Sequence, residues 1–223
     1  MTPPNPTPPR SERASTTGSE STLRWIPAAA KGFFWLAAIG ETLAIVNLYV
    51  PILPATSLFP TSPSPLRLTA PLLLGWSLNL VGATIRRECY RTLGHYFTFV
   101  LSIRPNHKLV TSGPYAWVRH PSYTGAIIAG IGTNLSHFSP GSWVVECFGV
   151  WLKLKLNKPS LSLNMFDMGW LEWCCCLGVV AVVQQLILAP RMRKEDEMLR
   201  KEFGSEWEKW EQRVPYWLIP GIF

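Results

Sequence analysis

A chain of 223 residues that is 48% hydrophobic, carries eleven Trp and has only 16% charged residues is a poor match to a water-soluble domain. Its formal net charge of +7 admits nucleic acid or a membrane surface as partner, and the placement of the basic residues decides between them. Five cysteines (Cys89, Cys147 and Cys174 to Cys176), odd in number and without paired ligand spacing, give neither a disulfide framework nor a zinc site.

Residues 1–24 are rich in Pro, Ser and Thr, lack an apolar segment, and read as a disordered tail. No short apolar stretch with a cleavage site marks them as a signal peptide. Apolar runs follow at 26–50 and 68–85, near the ~20 residues that cross a bilayer. Residues 25–88 are therefore expected to form an N-terminal transmembrane hairpin. A third run, 123–138, is shorter and Gly-rich, and a fourth spans 169–189. Unpaired backbone groups are too costly in lipid for most alternatives to helices. The expected class is an all-α integral membrane protein with about four transmembrane helices, five if 143–156 also crosses.

Basic residues cluster at 86–119 and 191–213, with Arg10, Arg13 and Arg24 in the tail, whereas 51–67 holds only Arg67. That asymmetry is the positive-inside pattern, and it argues for a membrane surface and against nucleic acid. It places both termini and the 86–120 loop in the cytosol. Two spans on either side of that loop satisfy the parity, so 143–156 is expected to be interfacial or re-entrant.

The most informative stretch is 107–125, HKLVTSGPYAWVRHPSYTG. Turn chemistry accounts for Gly113-Pro114 and His120-Pro121. It does not account for a basic and aromatic cluster that ends where an apolar helix begins, so a polar ligand is expected to bind here beside lipid. A second constellation lies in 191–223. Met198, Leu199, Phe203, Trp207 and Trp210 recur at helical spacing, Gly204 interrupts, and Pro215 ends the pattern. This predicts a C-terminal amphipathic helix with its Trp at headgroup level. Arg191 and Glu195 stand four apart on one helical face. As an exposed ion pair they would contribute only ~0.3–0.5 kcal/mol. At a membrane exit they could instead orient two oppositely charged ligand groups.

Together these segments resemble the isoprenylcysteine carboxyl methyltransferase family, of fungal type. The likeness is carried by H-x-L-V-T-S-G-x-Y from His107 to Tyr115 and R-H-P-S-Y-x-G from Arg119 to Gly125. The third motif, R-x-x-x-E-[ED] through R-V-P, runs from Arg191 to Pro215. The motifs cover roughly 93–138 and 187–220, under half the chain. A methyltransferase core at 89–223 is implied, with a cytosolic pocket for S-adenosyl-L-methionine. The resemblance places His107, Lys108, Leu109, Val110, Tyr115, His120, Pro121, Ser122, Tyr123 and Glu195 on that cofactor. It places Arg191 on the acceptor's carboxylate and gives Arg213 a closing role.

The implied reaction is methylation of the C-terminal carboxylate of prenylated cysteine in CaaX-processed proteins, in the endoplasmic reticulum membrane, with the prenyl tail entering from lipid. A phospholipid or small-molecule methyltransferase is the nearest alternative. An NADPH-dependent sterol reductase relative or an inactive scaffold is further away. The chain departs from the family's compact hairpin by about thirty extra residues near 139–169.

Overall fold

The computed structural model describes residues 5, 20–50, 68–98, 102–103, 106–139, 141–145 and 188–222, with backbone alone for 20–30 and 48–49. The elements among them are helical. Helix α1 is Glu20–Tyr49, α2 is Ala70–Leu93 and α3 is Pro121–Phe138. A fourth helix, α4, covers 188–203, and α5 is Ser205–Arg213. Single 3-10 turns occupy Gly94–Tyr96 and Gly113–Ala116. Gly204, in the left-handed region at φ 51°, separates α4 from α5 where the sequence pattern breaks.

The chain divides into two compact units. The first combines 79–130 with the C-terminal segment from 180 onward and residues 1–17. Its core is Cys89, Tyr115, Trp207, Trp210 and Val214, with Ile85, Leu109, Leu199 and Phe203 packed around them. Here α2 and α3 touch through glycine. A Cβ at Gly82 would lie 2.5 Å from the carbonyl oxygen of Gly125, and one at Gly125 would lie 2.8 Å from that of Gly82. Only residues without side chains allow backbones this close.

The second unit holds 18–78 and 131–179. Its described part uses the same device, since a Cβ at Gly75 would lie 2.5 Å from Ser136 Oγ. Rings supply the other contacts. Phe33 stacks on Phe138 at 6.2 Å, Phe34 on His137 at 5.2 Å, and the Trp143 indole lies over Gly40.

The first three apolar runs coincide with α1, α2 and α3; the fourth, 169–189, lies almost wholly outside the described residues, as does 139–169 apart from its first residues. Among the described residues no helix is long and apolar enough to cross a membrane. Helix α1 includes Lys31 and Glu41, α2 runs on through Arg86, Arg87, Glu88 and Arg91, and α3 has 18 residues including Asn134, Ser136 and His137. The helical class is as expected; the four crossings are not evident in these helices.

One expectation needs correction. Trp207 and Trp210 are each only 2% exposed and sit in the core of the first unit, not at a headgroup surface. Trp210 Nε1 donates to the Tyr115 carbonyl at 3.2 Å, so that indole is satisfied inside the protein.

Candidate functional site

The site begins between the two 3-10 turns that precede α3. Asn106, at φ 58°, turns the backbone into 107–110. The His107 ring stacks on Tyr96 at 4.6 Å and meets the edge of Phe203 at 5.8 Å. The Tyr96 hydroxyl donates to the Asn106 carbonyl at 2.8 Å and so closes that turn. Gly113, at φ 60°, starts the 3-10 turn, whose Pro114 fixes the backbone as Tyr115 enters the core. Burial, followed by the neighbouring Cys89 and Glu195, holds the Tyr115 hydroxyl in its protonated form. Pro121 then occupies the first position of α3, where its missing N–H costs nothing.

Helix α4 supplies the facing wall. Arg191 Nε donates to the Tyr123 hydroxyl at 2.8 Å, and that hydroxyl donates to Glu195 Oε2 at 3.0 Å. A phenol can accept and donate at once, so one oxygen joins a cation on one side to a carboxylate on the other. Behind Tyr123, Arg86 of α2 reaches the Ser122 carbonyl at 2.9 Å and the Tyr90 hydroxyl at 2.6 Å.

These groups enclose a cavity of about 270 Å³ within the first unit. Of the residues expected at the site, His107, Lys108, Leu109, Val110, Tyr115, His120, Ser122, Tyr123, Arg191 and Glu195 line it. Pro121 does not; it is buried in the first turn of α3 and shapes the wall from behind. Arg213, given a closing role, is exposed at the end of α5. Sequence reasoning missed Arg86, Tyr96, Phe97, Ser102, Met198 and Leu199, which also line the cavity. The helical spacing of Met198 and Leu199 marked them as apolar, but nothing local said which surface they face.

A larger omission is a buried cation that itself lines the cavity. Arg119, whose side chain is 6% exposed, meets Asp196 at 3.3 Å and Glu211, and donates to the Pro215 carbonyl at 3.2 Å. Its guanidinium also lies 5.8 Å from the Trp207 ring and 5.6 Å from the Trp217 ring. The backbone beyond α5 is tied to the same place. The amides of Arg119 and His120 donate to the carbonyls of Tyr216 and Trp217, each at 2.9 Å, and Thr124 Oγ1 donates to that of Leu218 at 2.8 Å. His120 Nε2 is 3.1 Å from Asp196 Oδ1, within ion-pair range, yet the approach is off-line and neither atom completes a hydrogen bond. The signal available in sequence was the adjacent acid in the E-[ED] pair and the Arg that opens R-H-P.

Similar proteins point the same way as the motifs. Residues 74–156 match the model of the isoprenylcysteine carboxyl methyltransferase (ICMT) family. A protein-S-isoprenylcysteine O-methyltransferase of Saccharomyces cerevisiae is 37% identical over 112 residues, 48% of this chain and 46% of that protein, which fits the fungal type. Protein-S-isoprenylcysteine O-methyltransferase B of Arabidopsis thaliana is 27% identical over 143 residues, 63% and 55%. The mouse protein-S-isoprenylcysteine O-methyltransferase is 38% identical over 96 residues, 41% and 34%. The chain thus spans about half the length of the curated relatives it matches, or less. A solved structure of a eukaryotic intramembrane Ras methyltransferase ICMT aligns at 22% identity and a TM-score of 0.49, over 92% of this chain and 55% of that one. That likeness is too loose to bear on the site. The resemblance to isoprenylcysteine carboxyl methyltransferases is carried by the family model and by the sequence relatives, while α4, with Arg191 and Glu195, lies outside the stretch the model matches.

Proposed function

We propose that this chain is a protein-S-isoprenylcysteine O-methyltransferase, which uses S-adenosyl-L-methionine to esterify the C-terminal carboxylate of prenylated cysteine in CaaX-processed proteins. The observation that carries this reading is the Arg191–Tyr123–Glu195 chain, which presents opposite charges 68 to 72 residues from the motif tyrosine on the wall of one cavity.

The lining suits such a donor. Glu195 offers a carboxylate for an ammonium group, and Lys108 a cation for a carboxylate. The stacked rings of Tyr96 and His107 offer a planar surface, and Leu109 and Val110 an apolar one. When bound, S-adenosyl-L-methionine would supply a methyl group already activated on a sulfonium. The protein then has little bond chemistry to perform. A C-terminal carboxylate, with a pKa near ~3.5, is ionised at neutral pH and needs no general base. Its desolvation is costly unless a cation accompanies it, and that is the role of Arg191. Tyr123 fixes the guanidinium by accepting from its Nε, so the cation is held in one orientation on the cavity wall. Rate is gained from orientation in a water-poor cavity.

The proposed setting is the endoplasmic reticulum membrane, with several passes and both termini cytosolic. Large apolar side chains on α1 and α2 support it: Trp35 is 63% exposed and Leu80 is 70% exposed. A prenyl tail would enter from lipid, so the partners are prenylated proteins and lipid, with no role for nucleic acid.

Microsomes containing the protein, given radiolabelled S-adenosyl-L-methionine and N-acetyl-farnesylcysteine, should yield base-labile label in the farnesylcysteine fraction. Parallel incubations with phosphatidylethanolamine and with a sterol complete the test. Label confined to the phospholipid would replace this reading with the lipid-methylating alternative.

A further inference from the structure

We infer that Asp196 is a positioning residue for the donor side of the cavity: held by Arg119, it sets the rotation of α4 and the orientation of the His120 ring. The inference deepens the proposed methyl-transfer reading and rests on it.

Asp196 is 7% exposed, although it follows directly on Glu195 in a segment whose acids would otherwise be read as a solvated face. Successive residues on a helix point about 100° apart, by the 3.6-residue turn. Glu195 therefore reaches Tyr123 only if its neighbour points toward α3's entry, where Arg119 and His120 stand. Arg191 precedes Glu195 by one turn and shares its face, so all three side chains are set by one rotation of α4. A slip of that rotation would part Arg191 and Glu195 from the Tyr123 hydroxyl together.

The two oxygens of Asp196 divide the work. Oδ2 lies 3.3 Å from the Arg119 guanidinium, and Oδ1 lies 3.1 Å from His120 Nε2. His120 lines the cavity and is 3% exposed, with its ring edge-on to Tyr123 and to Trp217. Neither Nε2 nor Oδ1 completes a hydrogen bond, so this close contact constrains the ring and leaves the ring nitrogen capacity for another partner. Glu211 holds the opposite side of the same guanidinium but is more open to solvent and does not line the cavity. It is a structural half of the clasp, and it provides a matched control for removing one carboxylate from Arg119.

The test compares Asp196→Asn, Asp196→Glu and Glu211→Gln in the full chain, reconstituted in lipid. Donor KM, kcat and thermal unfolding are measured for each. Asp196→Asn should raise donor KM about tenfold and change kcat for saturating donor by less than about threefold, the loss of one oriented charged contact. Asp196→Glu should recover most of the affinity. Glu211→Gln should leave donor KM within about twofold even if unfolding shifts. If KM rises equally for Asp196→Asn and Glu211→Gln, in step with unfolding temperature, Asp196 is a fold residue and the inference is overturned. Should Asp196→Asn not fold, direct binding of S-adenosylhomocysteine to Asp196→Ser and Glu211→Gln decides: equal affinity in both overturns it. A wild-type chain that binds no S-adenosylhomocysteine and transfers no methyl group defeats the reaction reading itself, an outcome distinct from a wild type that works with an indifferent Asp196.

Discussion

The two units solve opposite problems with one shared device. In both, glycines on α2 and α3 bring backbones into contact, at Gly82 with Gly125 in the first unit and at Gly75 with Gly132 and Ser136 in the second. Beyond that they diverge. The first unit buries charge: Arg119 and Asp196 are both under 9% exposed and paired, with the buried His120 ring against Asp196. The second leaves apolar bulk uncovered, with Trp35, Leu36, Ile39, Leu43, Leu74 and Trp76 among its exposed side chains. Buried ion networks need mutual partners, because removing one leaves another charge stranded at a cost of about 3–5 kcal/mol. Exposed apolar faces need a non-aqueous partner. The contrast is one of degree, since Leu80 and Trp117 of the first unit are also exposed: only the first unit joins buried charges among the described residues, while large exposed apolar side chains are frequent on the second.

The largest expected effect tests the shared device. Gly82→Leu and Gly75→Leu should each destabilise the chain by about 3 kcal/mol or more, since the added side chain would meet backbone atoms under 3 Å away. Gly32→Leu, with open space around its Cβ, should be near neutral by thermal unfolding in the same detergent. Equal losses at all three positions would mean that helix propensity, not close approach, governs these glycines.

Next comes the site itself. Arg191→Ala should lower kcat/KM for the prenylcysteine acceptor about 100-fold, in line with removal of a charged partner from a desolvated carboxylate. Donor affinity should fall far less, because Tyr123 and Glu195 keep their own contact. Equal loss on both substrates would refute the division of labour between Arg191 and Glu195. Tyr123→Phe should cost about tenfold in kcat/KM for both substrates, the worth of one or two oriented hydrogen bonds. An effect on only one of the two would show that the hydroxyl does not couple them.

How much of this was legible in the sequence depends on whether the information is local. Hydropathy located α1, α2 and α3, since an apolar run is a property of consecutive residues. Observed bounds run beyond the apolar part, as at α2, which continues to Leu93 because Arg86, Tyr90 and Leu93 face neighbours in the first unit. The 107–125 stretch announced itself through residue types, and the i,i+4 spacing put Arg191 beside Glu195. What joins them, Tyr123, lies 68 residues from Arg191, and no spacing rule reaches that far. The same is true of the Arg119 clasp, which exists only because 215–218 returns across the entry to α3. Trp207 and Trp210 were misplaced for a related reason: their helical spacing specifies a face but not what covers it.

A smaller effect concerns Cys89, the fully buried thiol of the first unit's core. Burial pushes it up to about 11 from an ordinary value near 9. The sign follows from linkage: below pH 9 both folded and unfolded thiols keep their protons and stability is unaffected. Between pH 9 and 11 the unfolded chain loses the proton while the folded chain retains it, so stability falls. Cys89→Ala should flatten that alkaline slope in a denaturant titration, whereas an unchanged slope would place its origin elsewhere. Folded protein should also resist alkylation at Cys89 at pH 8, because the thiol is both neutral and enclosed.

The smallest expected change in stability carries the sharpest test of the contrast between the units. Trp35→Phe and Trp76→Phe alter exposed side chains of the second unit and should shift unfolding by less than about 0.5 kcal/mol. In vesicles containing brominated lipid, however, they should remove quenchable indole emission, because bromine on an acyl chain quenches only rings it can approach. Trp207→Phe, in the buried core of the first unit, should cost more stability yet leave the quenched fraction unchanged. Stability and quenching would then move in opposite order across the three variants. Loss of quenching in Trp207→Phe alone would mean that lipid reaches the polar unit and that the apolar faces of α1 and α2 meet something else.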